Sequence, residues 1–152
     1  MTTIFRRATH ADIPHIVPMM TTFNDEELIE FTPEKGASGL DALLHNPGWG
    51  FVLVAGEDDA LTGYALIAYG FDIEFGGRDA FLCELFVAEP YRGTGLGRAL
   101  LEAAEAQAKD HGVNALHLIV RQENARARGL YERRGFIVDP RLLMTKSLDG
   151  EL

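Results

Sequence analysis

Short apolar runs, separated by acidic and glycine-rich punctuation, alternate along the chain between strand-like and helix-like spacing. Residues 3–8 read as a first strand. Thr9, with Asp12 three residues on, has the pattern of a helix N-terminal cap. Ile13, Ile16, Val17 and Met20 then fall at helical spacing. Pro14 fits a first turn, whereas Pro18 predicts an end or a kink. Thr32-Pro33-Glu34 marks a second helix start, with Leu40, Leu43 and Leu44 as its apolar face; Gly36 and Gly39 predict a break in it. Strands over 51–55 and 63–68 flank the polar Glu57-Asp58-Asp59, a hairpin pattern. Residues 71–79, which include Gly76-Gly77, read as a loop. Residues 81–87 form a strongly apolar strand carrying one acid, Glu84.

Residues 90–95 make a turn. Leu96, Leu100, Leu101, Ala104 and Ala108 then form an amphipathic helix that Gly112 can terminate. Residues 115–120 read as a buried strand, and 124–134 as a short helix capped by Asn124 and closed by Gly135. Gly129 inside it costs up to ~1 kcal/mol. Residues 136–138 and 142–145 finish as strands. The expected fold is mixed α/β, with an antiparallel start followed by a strand–helix–strand–helix unit whose two strands run parallel. No repeat, low-complexity segment or linker interrupts it, so residues 1–152 read as a single domain.

Composition narrows the function classes. At 152 residues, 47% hydrophobic and 24% charged, the chain is ordinary for a globular domain and unlike a disordered one. Its apolar runs fall far short of a membrane span, and its N-terminus lacks an apolar signal core. The single cysteine, Cys83, excludes an internal disulfide and a cysteine-cluster metal site, and makes a reduced, cytoplasmic setting the expectation. Net charge is −9, and all of the excess lies in residues 1–80; residues 81–152 balance to zero. Nonspecific nucleic-acid and anionic-membrane partners are therefore disfavoured. Acidity by itself aids solubility. The sharper reading is a first half that faces a cationic ligand and a second half that faces an anionic one.

The most informative motif runs from Glu84 through Arg92-Gly93-Thr94-Gly95-Leu96-Gly97. Glycines at 93, 95 and 97 leave backbone N–H groups uncovered where a helix begins, and the helix dipole adds to that anion site. Arg92 can add a charge-assisted contact to phosphate. A dinucleotide fingerprint would need glycine where Arg98 stands, and a triphosphate loop would need Gly-Lys-Ser/Thr, so neither fits. The plainer alternative is a glycine turn that only packs a helix against a strand.

These residues resemble the Arg/Gln-x-x-Gly-x-Gly/Ala signature of the GNAT superfamily of N-acetyltransferases. Residues 81–87 look like that family's fourth strand. Asn124, Ala127, Leu130-Tyr131 and Gly135-Phe136 are similar to its later motif. The resemblance implies a GNAT-like central sheet of six to seven strands. Its parallel strands four and five splay apart, and about four helices lie on both faces. It implies acetyl-CoA as donor and a primary amine as acceptor, with pantetheine in the gap between the splayed strands. Backbone groups around Leu85, Phe86 and Val87 would hold the pantetheine arm and acetyl oxygen. Residues Arg92, Gly93, Thr94, Gly95, Leu96 and Gly97 would take the pyrophosphate, and Asn124 and Tyr131 would lie near the far side of the thioester. A homodimer is implied by the family alone.

Amide formation from a thioester requires a neutral amine, donors for the oxyanion and a proton for the departing thiolate. A lysine-like amine is only about 0.04% neutral at pH 7. Tyr131, at the family's tyrosine position, is the candidate acid; the alternative is a core tyrosine. Glu84 is the candidate base, directly or through water, because partial burial would raise its pKa. It could equally bind the acceptor's ammonium or pair with an arginine. Alternation places it on the face of Phe86, opposite Cys83, Leu85 and Val87, with Cys83 buried and inert. His117 is a possible base, though a histidine between Leu116 and Leu118 reads more readily as a hydrogen-bonded core residue. His10 and His15 lack a His-Glu-x-x-His pattern, so no metal is expected. Asp25, Glu26, Glu27 and Glu30, with Asp72 and Glu74, lie in segments that wall the acceptor site in this family. Of these, Glu26, Glu27, Glu30 and Glu74 are the candidate substrate contacts. Tyr64, Phe71 and Phe75 could frame the same pocket. The leading expectation is acetyl transfer to a small cationic amine. The alternatives are acetylation of a protein lysine or N-terminal amine, and a non-catalytic module that senses acyl-CoA.

Overall fold

The computed structural model describes residues 4–150. Two compact units divide the chain, Met1–Arg121 and Gln122–Leu152. The first holds β1 (Phe5–Arg7), α1 (Ile13–Glu26), α2 (Pro33–His45), β2 (Gly50–Glu57), β3 (Ala60–Asp72), β4 (Gly77–Val87), α3 (Leu96–Asp110) and β5 (Ala115–Leu118). The second holds α4 (Ala125–Arg133).

The first unit is built on one sheet in the order β1-β2-β3-β4-β5. Its first three pairings are antiparallel, and β4–β5 is parallel. Cross-strand partners share a face, so the register assigns Val52, Val54, Tyr64 and Phe86 to one side. There they pack with Ile16 and Met20 of α1 and Leu40 of α2. The opposite side carries Leu53, Ala65 and Ile67, all buried, beneath α3 with its buried Leu100, Leu101 and Ala104. Helices thus cover both faces of a mixed sheet, as expected.

Five strands are formed among the described residues, not six to seven. Residues 136–138 and 142–145 carry no ladder, and Ile137, Val138, Leu142, Leu143 and Met144 are exposed. An apolar, alternating sequence supplies a face; a strand also needs a partner for its backbone. Residue 3 of the expected first strand lies outside the described residues.

Three other expectations are corrected. Pro18 neither ends nor interrupts α1. The hydrogen bond it removes is the one to Pro14 in the opening turn, while buried Ile16 and Met20 hold the helix on the sheet. Nor is α2 broken at its glycines. Thr32 caps it by accepting from Lys35 N at 3.2 Å. A Cβ at Gly36 would fall 2.5 Å from the Phe31 ring, so glycine serves close packing there. Residues 71–79 are not a loop: β3 and β4 continue to a tight turn at 73–76, where Asp72 Oδ1 accepts from Glu74 N (2.9 Å) and Phe75 N (3.4 Å). No helix among the described residues is long and apolar enough to cross a membrane.

Candidate active site

The β3–β4 ladder changes register once. Leu66 pairs with Glu84, and Ile67 pairs with Leu82, so Cys83 has no cross-strand partner. Such a bulge changes the parity of the strand. Cys83 is exposed, contrary to the expectation of burial, because the irregularity frees it from the alternation that would place it inward. Glu84 keeps the face of Phe86, as alternation predicts. The same step also brings Phe81 (opposite Ala68) and Asp79 (opposite Gly70) to Glu84's face.

Glu84 is half-buried and accepts a 2.5 Å hydrogen bond from the Tyr64 hydroxyl. Burial pushes its carboxyl above the usual carboxylate range, and the Tyr64 hydrogen bond partly opposes that. Tyr64 is fully buried; desolvation, with the Glu84 charge beside it, drives its phenol far above the ordinary value, so it remains a donor. A half-buried carboxylate with a raised pKa and one fixed donor is suited to accepting a proton from an incoming amine.

The β4–β5 ladder is four residues long, from Asp79↔Ala115 to Leu82↔Leu118. Beyond it β4 continues to Val87 whereas β5 has ended, so Leu85, Phe86 and Val87 have no β5 ladder partner. Next comes the glycine turn. Gly93 and Gly95 adopt φ of 77° and 88°, and Gly95 in the left-handed region is the N-cap of α3. Space around Gly95 is open. The first amides of a helix have no partners within it, so Leu96 and Gly97 present donors to that space. The Thr94 hydroxyl donates to Tyr91 O at 2.6 Å.

Arg92 and Glu26, expected to contact cofactor and acceptor respectively, hold each other. The guanidinium donates to both Glu26 carboxylate oxygens (3.0 and 2.9 Å), and its Nε donates to Val87 O at 2.7 Å. This pair ties the end of α1 to the glycine turn. Glu27 and Glu30 lie in the α1–α2 connection, where Leu28 takes a φ of 59° as the chain leaves α1. Glu74 is exposed in the β3–β4 turn. Phe71 and Phe75 are exposed beside it, and Tyr64 belongs to the core.

His117 is half-buried, and its Nε2 stands 3.1 Å from Asp79 Oδ2 and 3.8 Å from Asp72 Oδ2. Two partnerships were hidden in the sequence: Tyr64 with Glu84, and Asp79 with His117. An aspartate two residues before the apolar run at 81–87 was the available sequence signal for the second.

In the second unit, Asn124 Oδ1 caps α4 by accepting from Ala127 N at 3.1 Å. Tyr131 lies half-buried on α4, edge-on to Phe136 at 5.8 Å.

The profile of the Acetyltransferase (GNAT) family matches residues 16–136. An uncharacterized N-acetyltransferase of Mycobacterium tuberculosis is 33% identical over 115 residues, covering 70% of each chain. A streptothricin acetyltransferase of Streptomyces lavendulae is 31% identical over 143 residues, 92% of this chain and 70% of that one. The fold also matches a crystal structure of a predicted acetyltransferase with acetyl-CoA from Clostridium acetobutylicum. That match has a TM-score of 0.81 at 19% identity and covers 99% of this chain and 100% of that one. Motif, sheet topology and these likenesses agree: the chain belongs to the GNAT acetyltransferase family.

Proposed function

We propose that this protein transfers the acetyl group of acetyl-CoA to a primary amine on a small cationic molecule, by direct attack in a ternary complex. The carrying observation is Glu84: a half-buried carboxylate of raised pKa on the strand that outruns its parallel neighbour, leading into an open glycine turn. Acetyl-CoA supplies an activated thioester carbonyl. Free amides at Leu96 and Gly97 suit its pyrophosphate, and the edge at Leu85, Phe86 and Val87 suits its pantetheine arm. Glu84 takes the ammonium proton, directly or through water, with Tyr64 holding the carboxylate in place. On the family motif we assign Tyr131 to donate to the departing thiolate and Asn124 to bind the cofactor.

The preference for a cation rests on charge: −9 in residues 1–80 against zero beyond. Glu27, Glu30 and Glu74 remain open to an acceptor, whereas Glu26 is committed to Arg92. A small-molecule acceptor accords with the relative named for streptothricin. The test is acetyl-CoA turnover across polyamines, aminoglycosides, amino acids and basic peptides, followed as released thiol. Fastest turnover with a small cation is expected, with its KM rising as salt shortens the screening length from about 30 Å at 0.01 M to about 8 Å at 0.15 M. A neutral or acidic amine as best acceptor would remove the charge argument. Turnover only with peptides would assign a protein substrate, and binding of acetyl-CoA without turnover would make the chain a sensor.

A further inference from the structure

We infer a second site, for a divalent transition-metal ion, formed by Asp72, Asp79 and His117 where β4 and β5 are still joined. Three strands supply it: Asp72 ends β3, Asp79 lies on β4 and His117 on β5. One ligand atom from each lies within 4.8 Å of the others. Oxygen and imidazole ligands sit about 2.1 Å from zinc, so two of them stand about 3.0 Å apart at a right angle and about 3.4 Å apart at tetrahedral geometry. The observed 3.1 Å from His117 Nε2 to Asp79 Oδ2 matches that spacing, and the 3.8 Å to Asp72 Oδ2 needs only a small closure. An ion would take the space between the imidazole and the Asp79 carboxylate and draw in the Asp72 carboxylate as well.

The surroundings favour a built site. The Asp79 side chain is only 10% exposed. A Cβ at Gly70 would lie 2.6 Å from Asp79 Oδ1, so the glycine opposite makes room for the carboxylate. Asp72 Oδ1 is fixed by the Glu74 and Phe75 amides, which leaves Oδ2 toward His117. Hydrogen-bonded carboxylates of this kind orient metal ligands. Phe75 and Phe81 flank the imidazole at 5.8 and 5.2 Å. A rival cluster, His10 with Asp41 and His45, offers the same ligand types, but all three side chains are about half exposed or more. Two carboxylates and one imidazole suit Zn²⁺, Mn²⁺ or Co²⁺. Bound there, the ion clamps β5 to β4 and to the β3–β4 turn, at the joined end of strands that part beyond Leu82 and Leu118.

The experiment uses the full chain, freed of metal, titrated with Zn²⁺ by calorimetry and with Co²⁺ by visible absorption. One equivalent of Zn²⁺ should bind with micromolar or tighter affinity and raise the melting temperature. Asp79→Asn and His117→Gln should each weaken it at least ten-fold, and His117→Gln should abolish the Co²⁺ ligand-field band. His45→Gln should leave both signals unchanged. No binding by the wild type at millimolar Zn²⁺, wild-type affinity in both folded variants, or loss confined to His45→Gln overturns the site.

Discussion

The Tyr64 hydroxyl donates to Glu84 Oε1 at 2.5 Å, joining the core of the sheet to the carboxylate beside its parting strands. Burial raises the Glu84 pKa and this hydrogen bond lowers it. A base must be ionised to act, so activity should rise with pH through the Glu84 pKa, above the ordinary carboxylate value of about 4.3. Tyr64→Phe removes the opposing contribution, so the acidic limb of the kcat profile should move to higher pH. Glu84→Gln should erase that limb and lower kcat roughly 10²- to 10⁴-fold. A full pH–rate series on both variants decides this. An unchanged limb in Glu84→Gln would assign the base elsewhere.

Tyr131→Phe keeps the ring that stands edge-on to Phe136 and deletes only the hydroxyl. If that phenol protonates the leaving thiolate, kcat should fall roughly ten- to ten-thousand-fold with a smaller change in acetyl-CoA affinity. Steady-state kinetics beside equilibrium binding separate the two effects. Full activity across pH would return Tyr131 to a packing role.

For the glycine turn, Gly97→Val is the cleaner probe. Gly95 has a φ of 88°, where any side chain strains the backbone, whereas Gly97 lies in the first turn of α3. The valine should block close approach of a pyrophosphate and weaken coenzyme A binding more than ten-fold in a folded protein. Arg92→Ala should act more mildly, because the amides remain. It also breaks the half-exposed pair with Glu26, a loss of about 1 kcal/mol or less. Calorimetry with coenzyme A and urea melts together distinguish binding from folding. Normal affinity in Gly97→Val would reject the site.

Asp12 is buried and takes hydrogen bonds from Arg6 Nη1 and Nη2 (2.7 and 2.8 Å) and from Thr9 N (2.7 Å). The Arg6 hydrogen bond, more than any other contact, lowers its pKa to about 2. A depressed carboxylate stabilises the fold above its unfolded pKa of about 3.9, and that contribution fades as pH falls toward the folded value. Asp12→Asn should therefore cost about 2 kcal/mol at neutral pH, with wild type and variant converging near pH 2. Urea unfolding across that range is the measurement. A constant difference down to the lowest pH would show that the ion pair is not its source.

Leu100 is fully buried beneath the sheet, its Cδ2 3.6 Å from where a Cβ on Gly63 would stand. Leu100→Ala should cost about 2–5 kcal/mol, read as a lower urea midpoint at unchanged slope. A loss below 1 kcal/mol would mean that the α3 layer collapses to fill the space.

Features that depend on local spacing were legible in the residue order. The 3.6-residue stripe of α3, the Thr32-Pro33 start of α2, the Asn124 cap of α4 and the strand–turn–helix around Gly95 are all written in neighbouring residues. So is the distinction of Glu84 as the one acid in residues 81–87. Which residues share a face or a partner was settled by the pairing of distant segments. Phe81 and Asp79 reach Glu84's side because Cys83 is unpaired opposite the step from Leu66 to Ile67. Counting alternate residues along β4 places Phe81 and Asp79 on the opposite side, since a bulge adds a residue without adding a rung. Residues 136–138 and 142–145 have the composition of strands but no ladder, and Arg92 spends its donors on Glu26, 66 positions earlier. Parity, pairing and ion-pair choice belong to two segments at once, so neither segment's own pattern contains them.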